Sequence, residues 1–176
     1  MCQITVLIFE PVLQNDNLLV NVVLQSKLAQ ETLKAPYNFD FLTMREDYDE
    51  RDLEDELTKH ITQLLLELSK GFSFCGRQVE LVVSGTSYRI DMLFYHIRLK
   101  CYVVVELKTH AFQPEYVGKL NFYVTAVDKL LKQEEDNPAI GLLICKTKDE
   151  TKVEWAFNGI NKPLGVAAYE INSPPL

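Results

Sequence analysis

The sequence predicts an α/β fold: a mixed β-sheet flanked by helices, with the core order helix, three strands, helix, strand. Three observations carry that expectation. Apolar residues recur at helical spacing over residues 52–70, three consecutive runs rich in β-branched and aromatic residues lie between 79 and 107, and a second helical stripe over 114–137 precedes a short apolar run at 140–145.

Residues 1–27 give weak signals: an apolar Ile4 to Phe9, a polar turn at 14–17, then Leu18 to Leu24. Residues 28–50 read as short helical pieces interrupted at Pro36-Tyr37-Asn38, because proline restricts the residue before it. They form a connecting arm, so the expected organisation is an N-terminal arm over 1–50 and one globular domain over 51–172. In the first helix Leu53, Leu57, Ile61, Leu64, Leu65 and Leu68 share a face, and Gly71 is a natural C-cap. The runs 79–83, 88–95 and 101–107 predict a meander, with Ser84-Gly85 as the first turn. In the second helix Val117, Leu120, Val124, Val127, Leu130 and Leu131 repeat, and Asn137-Pro138 stops the pattern. Residues 140–145 read as a buried strand, 153–160 fit helix or strand equally, and 166–171 suit a last strand.

Composition narrows the function classes. The chain has 176 residues, 47% apolar and 24% charged, which suits one globular domain with a sizeable core. The longest apolar stretches fall far below the roughly 20 residues of a membrane span, and no basic region precedes the early apolar run. Neither a membrane protein nor a secreted one is expected. Cys2, Cys75, Cys101 and Cys145 are scattered, without metal-knuckle spacing, so reduced thiols and a cytoplasmic location are expected. No glycine-rich phosphate loop and no nucleophile elbow is present.

Eighteen Lys and Arg against 25 Asp and Glu leave a net charge of −7, and all of that excess lies in the first 60 residues. Most of it falls between Glu46 and Glu56, a run that suits a solvated helix N-terminus. The remainder of the chain is neutral, without the basic stripe of an autonomous nucleic-acid binder. Binding that depends on homo-oligomer formation fits this balance.

The residues that carry chemistry break the apolar pattern. The run Cys101-Tyr102-Val103-Val104-Val105-Glu106-Leu107-Lys108 ends by presenting a carboxylate and an ammonium, which alternation places on one face. A buried charge costs several kcal/mol, on the order of 3 to 5, unless it is paired. The pair could simply leave the sheet at its edge. The preceding run Ile90-Asp91-Met92-Leu93-Phe94 weakens that reading, since a hairpin pivoting near Arg98 and Leu99 sets Asp91 opposite Glu106. Two opposed carboxylates repel unless a cation lies between them, and two carboxylates, a carbonyl and waters suit Mg²⁺. Glu54 follows the apolar Leu53 and divides evenly between site and surface, Lys119 and Tyr123 share a helix face and by spacing alone read as surface residues rather than ligands, and Arg77-Gln78 opens the first strand. His60 and His96 have no partner at metal-ligand spacing and read as structural.

Taken together these stretches resemble the YhcG-like branch of the PD-(D/E)XK nuclease superfamily. The likeness runs through Leu33 to Leu42, Gly71-Phe72, Gly76-Arg77-Gln78, residues 90–96 and 101–108, and Gly118-Lys119-Leu120-Asn121-Phe122-Tyr123. It continues through Asp136-Asn137-Pro138, Ile140-Gly141-Leu142 and Asn161-Lys162-Pro163, and covers about residues 30 to 171. It implies a restriction-endonuclease-like core and a metal-dependent endonuclease that hydrolyses phosphodiester bonds of nucleic acid, DNA being the expected polymer. By the same resemblance Asp91, Glu106 and the carbonyl of Leu107 hold Mg²⁺ or Mn²⁺, Lys108 orients or activates the attacking water, and Glu54 is the acid of the first helix. Gln78, Lys119 and Tyr123 are then the substrate contacts. Lys119 stands where the superfamily often has Gln, and Glu56 where a small apolar residue is common. A helical region usual ahead of this core has no counterpart in the roughly 27 residues before the arm, so the chain is expected to be a shortened copy or an isolated domain. The alternative is a non-catalytic module of the same fold that binds nucleic acid or a protein.

Overall fold

The computed structural model describes residues 36–68 and 70–172. The expectations for residues 1–35 lie outside the described residues. Ten elements follow: β1 (Tyr37–Asn38), α1 (Glu50–Lys59), α2 (Ile61–Leu68), β2 (Phe72–Val83), β3 (Thr86–His96), β4 (Cys101–Ala111), α3 (Glu115–Leu130), β5 (Ile140–Thr147), α4 (Glu150–Phe157) and β6 (Leu164–Glu170). The expected order of helix, three strands, helix and strand is present, and the six strands make one mixed sheet ordered β1-β6-β5-β4-β3-β2. The meander β2-β3-β4 is antiparallel, whereas β5 joins β4, β6 joins β5, and β1 joins β6 in parallel.

Both faces of the sheet are covered, as parallel strands require. On one face Cys101, Val103, Val105 and Leu107 of β4 pack against Leu53 and Leu57 of α1, Leu64 and Leu68 of α2, and the segment from Tyr37 to Met44. On the other, Val104 and Leu143 meet Val117, Leu120, Val124 and Val127 of α3 and Val153 and Phe157 of α4. The ambiguous stretch at 153–160 is therefore largely a helix. Asp149 caps it by accepting from the Lys152 N–H at 2.9 Å.

The arm departs from its expected helical character over 36–49. Tyr37, Phe39 and Leu42 are completely buried, and each such side chain stabilises by roughly 1.5–3 kcal/mol, so core insertion outweighs any local helical preference. The Asn38 side chain accepts from the Asp40 N–H at 2.8 Å and turns the chain instead. The first predicted helix is divided at His60 into α1 and α2. At its start Asp49 and Asp52 exchange side-chain and backbone hydrogen bonds in a capping box, so part of the acidic run serves the helix terminus. Strand β2 begins at Phe72 rather than 79, and α3 ends at Leu130, well before Asn137-Pro138.

The β2–β3 turn is the expected Ser84-Gly85, with φ of +50° and +79°, the twist a two-residue hairpin needs. The β3–β4 register pairs His96 with Cys101 and Met92 with Val105, which confirms the pivot at residues 98–99. That hairpin is tied to the loop before β5. Asp136 accepts from the Tyr95 hydroxyl at 2.6 Å, and the Asn137 side chain donates to the Leu99 carbonyl at 2.8 Å. His96 is buried and its Nδ1 accepts from the Leu99 N–H at 3.1 Å, a structural role as expected. Gly141 lies where β5 passes under α3: a Cβ there would sit 2.6 Å from Leu164 Cδ2 and 2.8 Å from Val124 Cγ2.

Candidate active site

The pairing of β3 with β4 ends at Met92 and Val105. One step beyond, Asp91 and Glu106 take the next opposed positions, and the two strands are held there by side chains instead of backbone. The Asp91 N–H donates to Glu106 Oε1 at 3.2 Å, and the Leu107 N–H donates to Asp91 Oδ2 at 2.9 Å. Each carboxylate thus grips the backbone of the other strand. This reciprocal clasp fixes both acids at the mouth of the strand split and satisfies N–H groups that the ladder leaves behind.

Glu106 is 1% exposed. Burial, reinforced by the negative charge of Asp91, pushes its pKa up to about 7 against an opposing pull from Lys119. Lys119 Nζ on α3 stands 3.0 Å from Glu106 Oε2, an ion pair. The ammonium thus pairs with the buried carboxylate and offsets part of its charge. Burial disfavours the Lys119 ammonium, but the Glu106 carboxylate outweighs it and raises the lysine pKa. The same Nζ lies 5.2 Å from the ring centroid of Tyr123, itself buried one turn further along α3. Spacing alone favoured a surface place for both; Lys119 is half-exposed yet pairs with Glu106, and Tyr123 is buried beside it.

Lys108 shares its face with Glu106, as alternation predicts. Its Nζ lies 5.2 Å from the Tyr116 ring of α3, and among the described residues no carboxylate stands within ion-pair distance of it. Its positive charge also acts on Glu50 of α1. Burial raises the Glu50 pKa, but backbone hydrogen bonds, including one from the Thr109 N–H at 3.3 Å, and then Lys108 reverse the balance and lower it.

The third acid, Glu54, points inward from α1 and is 3% exposed. It does not join Asp91 and Glu106 directly; Gln78 of β2 stands between them. Gln78 Nε2 donates to Glu54 Oε2 at 2.6 Å and reaches Asp91 Oδ1 at 3.5 Å, the outer limit of a hydrogen bond. The residue adopts φ of +47° opposite Asp91, and the β2–β3 ladder pairs only Arg77 and Val79 around it. A long side chain held in the left-handed region mid-strand costs about 1–2 kcal/mol, a strain that clusters at functional sites. Arg77 Nε is 2.9 Å from Glu54 Oε1 and its other end binds Asp55. Burial raises the Glu54 pKa, and the Gln78 amide works against that.

The donor set suits a hard cation: carboxylate oxygens on two opposed strands, set opposite each other where the backbone ladder ends. Among the described residues no three His, Cys, Asp or Glu side chains cluster, so such an ion would complete its shell with carbonyl, water and substrate oxygens. Leu107 contributes its N–H to the clasp and its side chain to the core.

Sequence reasoning missed the cleft beside this pair. It has a volume of about 380 Å³ and is lined by Glu50, Arg51, Glu54, Arg77, Gln78, Arg89 and Asp91. Two signals were present: Arg89 precedes Asp91 by two residues on one strand, and Arg51 precedes Glu54 by one helical turn.

Comparison with known proteins agrees with the sequence likeness. Residues 30–175 match the model of the YhcG PDDEXK nuclease domain. The Escherichia coli (strain K12) protein named "Putative nuclease YhcG" is 31% identical over 147 residues, covering 84% of this chain and 39% of that protein. The chain therefore spans about two-fifths of that relative's length. Among solved structures, a repair endonuclease from Pyrococcus abyssi is 19% identical over 74% of this chain and 50% of its own, with a TM-score of 0.44. EndoMS in its apo form is 18% identical over 74% of this chain and 49% of its own, with a TM-score of 0.45. Among the described residues no helix is long and apolar enough to cross a membrane.

Proposed function

The chain belongs to the YhcG PDDEXK nuclease domain family, and from that premise and the site geometry we propose that it is a divalent-metal-dependent endonuclease acting on DNA. The observation that carries the proposal is the clasp of Asp91 and Glu106, two carboxylates fixed opposite each other where β3 and β4 part. Asp91, Glu106 and the carbonyl of Leu107 would hold Mg²⁺ or Mn²⁺, which supplies Lewis-acid stabilisation of the scissile phosphate and lowers the pKa of water.

The residues of the chain do the rest. Lys108, unpaired with any carboxylate among the described residues, orients the attacking water and adds positive charge where negative charge develops. Water oxygen bonds to phosphorus as one phosphoester bond breaks, leaving a phosphate monoester and a hydroxyl. Lys119, held over Tyr123, offers its ammonium to a phosphate oxygen, and Gln78 keeps Glu54 and Asp91 in fixed relation. Glu54 acts through that amide as a positioning carboxylate. DNA is taken as the polymer because it is the one the sequence resemblance implies.

The test compares wild type with Glu106→Ala and Lys108→Ala on single-stranded, duplex and branched DNA and on RNA, with Mg²⁺, Mn²⁺ or EDTA. Metal-dependent cleavage of DNA lost in both variants is the expected result. Cleavage unchanged by both substitutions, or none by wild type on any substrate, overturns the assignment and favours a binding module.

A further inference from the structure

The cleft beside Asp91 brings three guanidinium groups from three elements together: Arg51 of α1, Arg77 of β2 and Arg89 of β3. In a chain of net charge −7 this convergence is against the overall balance. The three acids of the same cleft already accept from internal donors. Glu50 accepts from the Thr109 N–H, Glu54 from Gln78, and Asp91 from the Leu107 N–H. Arg77 is likewise committed, to Glu54 and Asp55. Arg51 and Arg89 are not. Both are exposed, and among the described residues neither has a carboxylate within ion-pair distance. Two guanidinium groups with no carboxylate partner thus line the cleft, and their forked donors suit an anion with several acceptor oxygens. Its volume of about 380 Å³ lies in the range of sites that enclose a nucleotide-sized group.

We propose that Arg51 and Arg89 form a clamp for a phosphate group of the nucleic acid, on the α1 side of Asp91, opposite the Lys119 side. Arg77 acts as a positioning residue, holding α1 against β2 so that the two clamp arginines face one cleft. The proposal rests on the nuclease reading and deepens it: the polynucleotide is gripped on both sides of the carboxylate pair, by Lys119 on α3 and by the arginine clamp. The phosphate held there is either an internal phosphodiester or a terminal 5′-phosphate.

Binding of fluorescent duplex DNA is measured by anisotropy in EDTA over a salt series for wild type, Arg51→Gln, Arg89→Gln, and Lys152→Gln on α4. Each arginine on a phosphate contributes about 0.9 to the slope of log affinity against log salt. Each arginine variant is expected to lose about 0.9 of that slope, Arg89→Lys to retain it, and Lys152→Gln to match wild type, with all melting temperatures preserved. Slopes unchanged in both arginine variants, with wild type still binding, overturn the clamp and leave the nuclease reading standing. Failure of wild type to bind nucleic acid at any salt overturns both. A covalently closed circle and a 5′-phosphorylated duplex separate the two sources: slope loss on the circle identifies an internal phosphodiester, and loss confined to the phosphorylated ends identifies a terminal one.

Discussion

Replacing Glu106 by Gln separates what the site does from what it costs. In the metal-free protein Glu106 carries a pKa of about 7 against an ordinary value of 4.5, so its charged form is disfavoured by folding. The native state holds a proton that the unfolded chain has released, and stability falls as pH rises from about 4.5 through about 7. The full displacement of about 2.5 pH units corresponds to about 3 kcal/mol. About 1 of that is already lost at pH 5.5, and about 2 more disappears by pH 8. Gln keeps the shape and cannot ionise. In EDTA, the urea-unfolding free energy of Glu106→Gln minus that of wild type is therefore expected to rise by about 2 kcal/mol between pH 5.5 and pH 8. The absolute difference is smaller than the charge cost alone, because the half-exposed Lys119 loses its counter-charge. The same variant is expected to lose metal-dependent cleavage. A stability difference that stays flat with pH, or that favours wild type more at pH 8, refutes the claim that burial and Asp91 hold Glu106 against ionisation.

Because metal ligation needs the Glu106 carboxylate, cleavage by wild type at limiting metal is expected to rise about tenfold per pH unit below about 7 and to level above it, read from a pH–rate profile. Asp91→Ala removes the acceptor of the Leu107 N–H as well as a carboxylate, so chemical denaturation should show a loss of about 1–3 kcal/mol along with inactivity. Gln78→Gly relieves the left-handed strain but severs Glu54 from Asp91; thermal stability is expected to change by less than about 1 kcal/mol while cleavage falls at least about tenfold. Gly141→Ala is expected to cost about 1–3 kcal/mol in a melting experiment, since its methyl meets Leu164, Val124 and Leu120 at once.

What the sequence made legible was what periodicity encodes. Period-2 runs with a single intruding charge located Asp91 and Glu106, and the short Arg98-Leu99 turn fixed their register, so their opposition followed from counting alone. The acid of α1 was harder to read, because Glu54 sits among seven neighbouring acids and only burial distinguishes it. Gln78 acquires its place from a positive φ that no residue-type preference announces. Arg51 and Arg89 lie on a helix and a strand far apart in sequence, and only the folded chain brings both to one cleft. The segment at 36–49 was misread for the opposite reason. Its local propensity is weak, and the burial of Tyr37, Phe39 and Leu42 decides its path.

The two residues of β1 are a small part of the sheet, but they determine how it ends. Tyr37 and Asn38 lie alongside Tyr169 and Glu170 of β6, and the Phe39 N–H continues the contact to the Glu170 carbonyl at 2.9 Å. Behind them Phe39 stacks on Tyr169 with ring centroids 5.4 Å apart. A fragment cut to start at α1 would keep every proposed site residue and still bare the outer edge of β6 at Tyr169 and Glu170, where another molecule's strand could add. Tyr37 and Asn38 thus shield that end of β6, and a fragment lacking them is expected to aggregate more readily on expression.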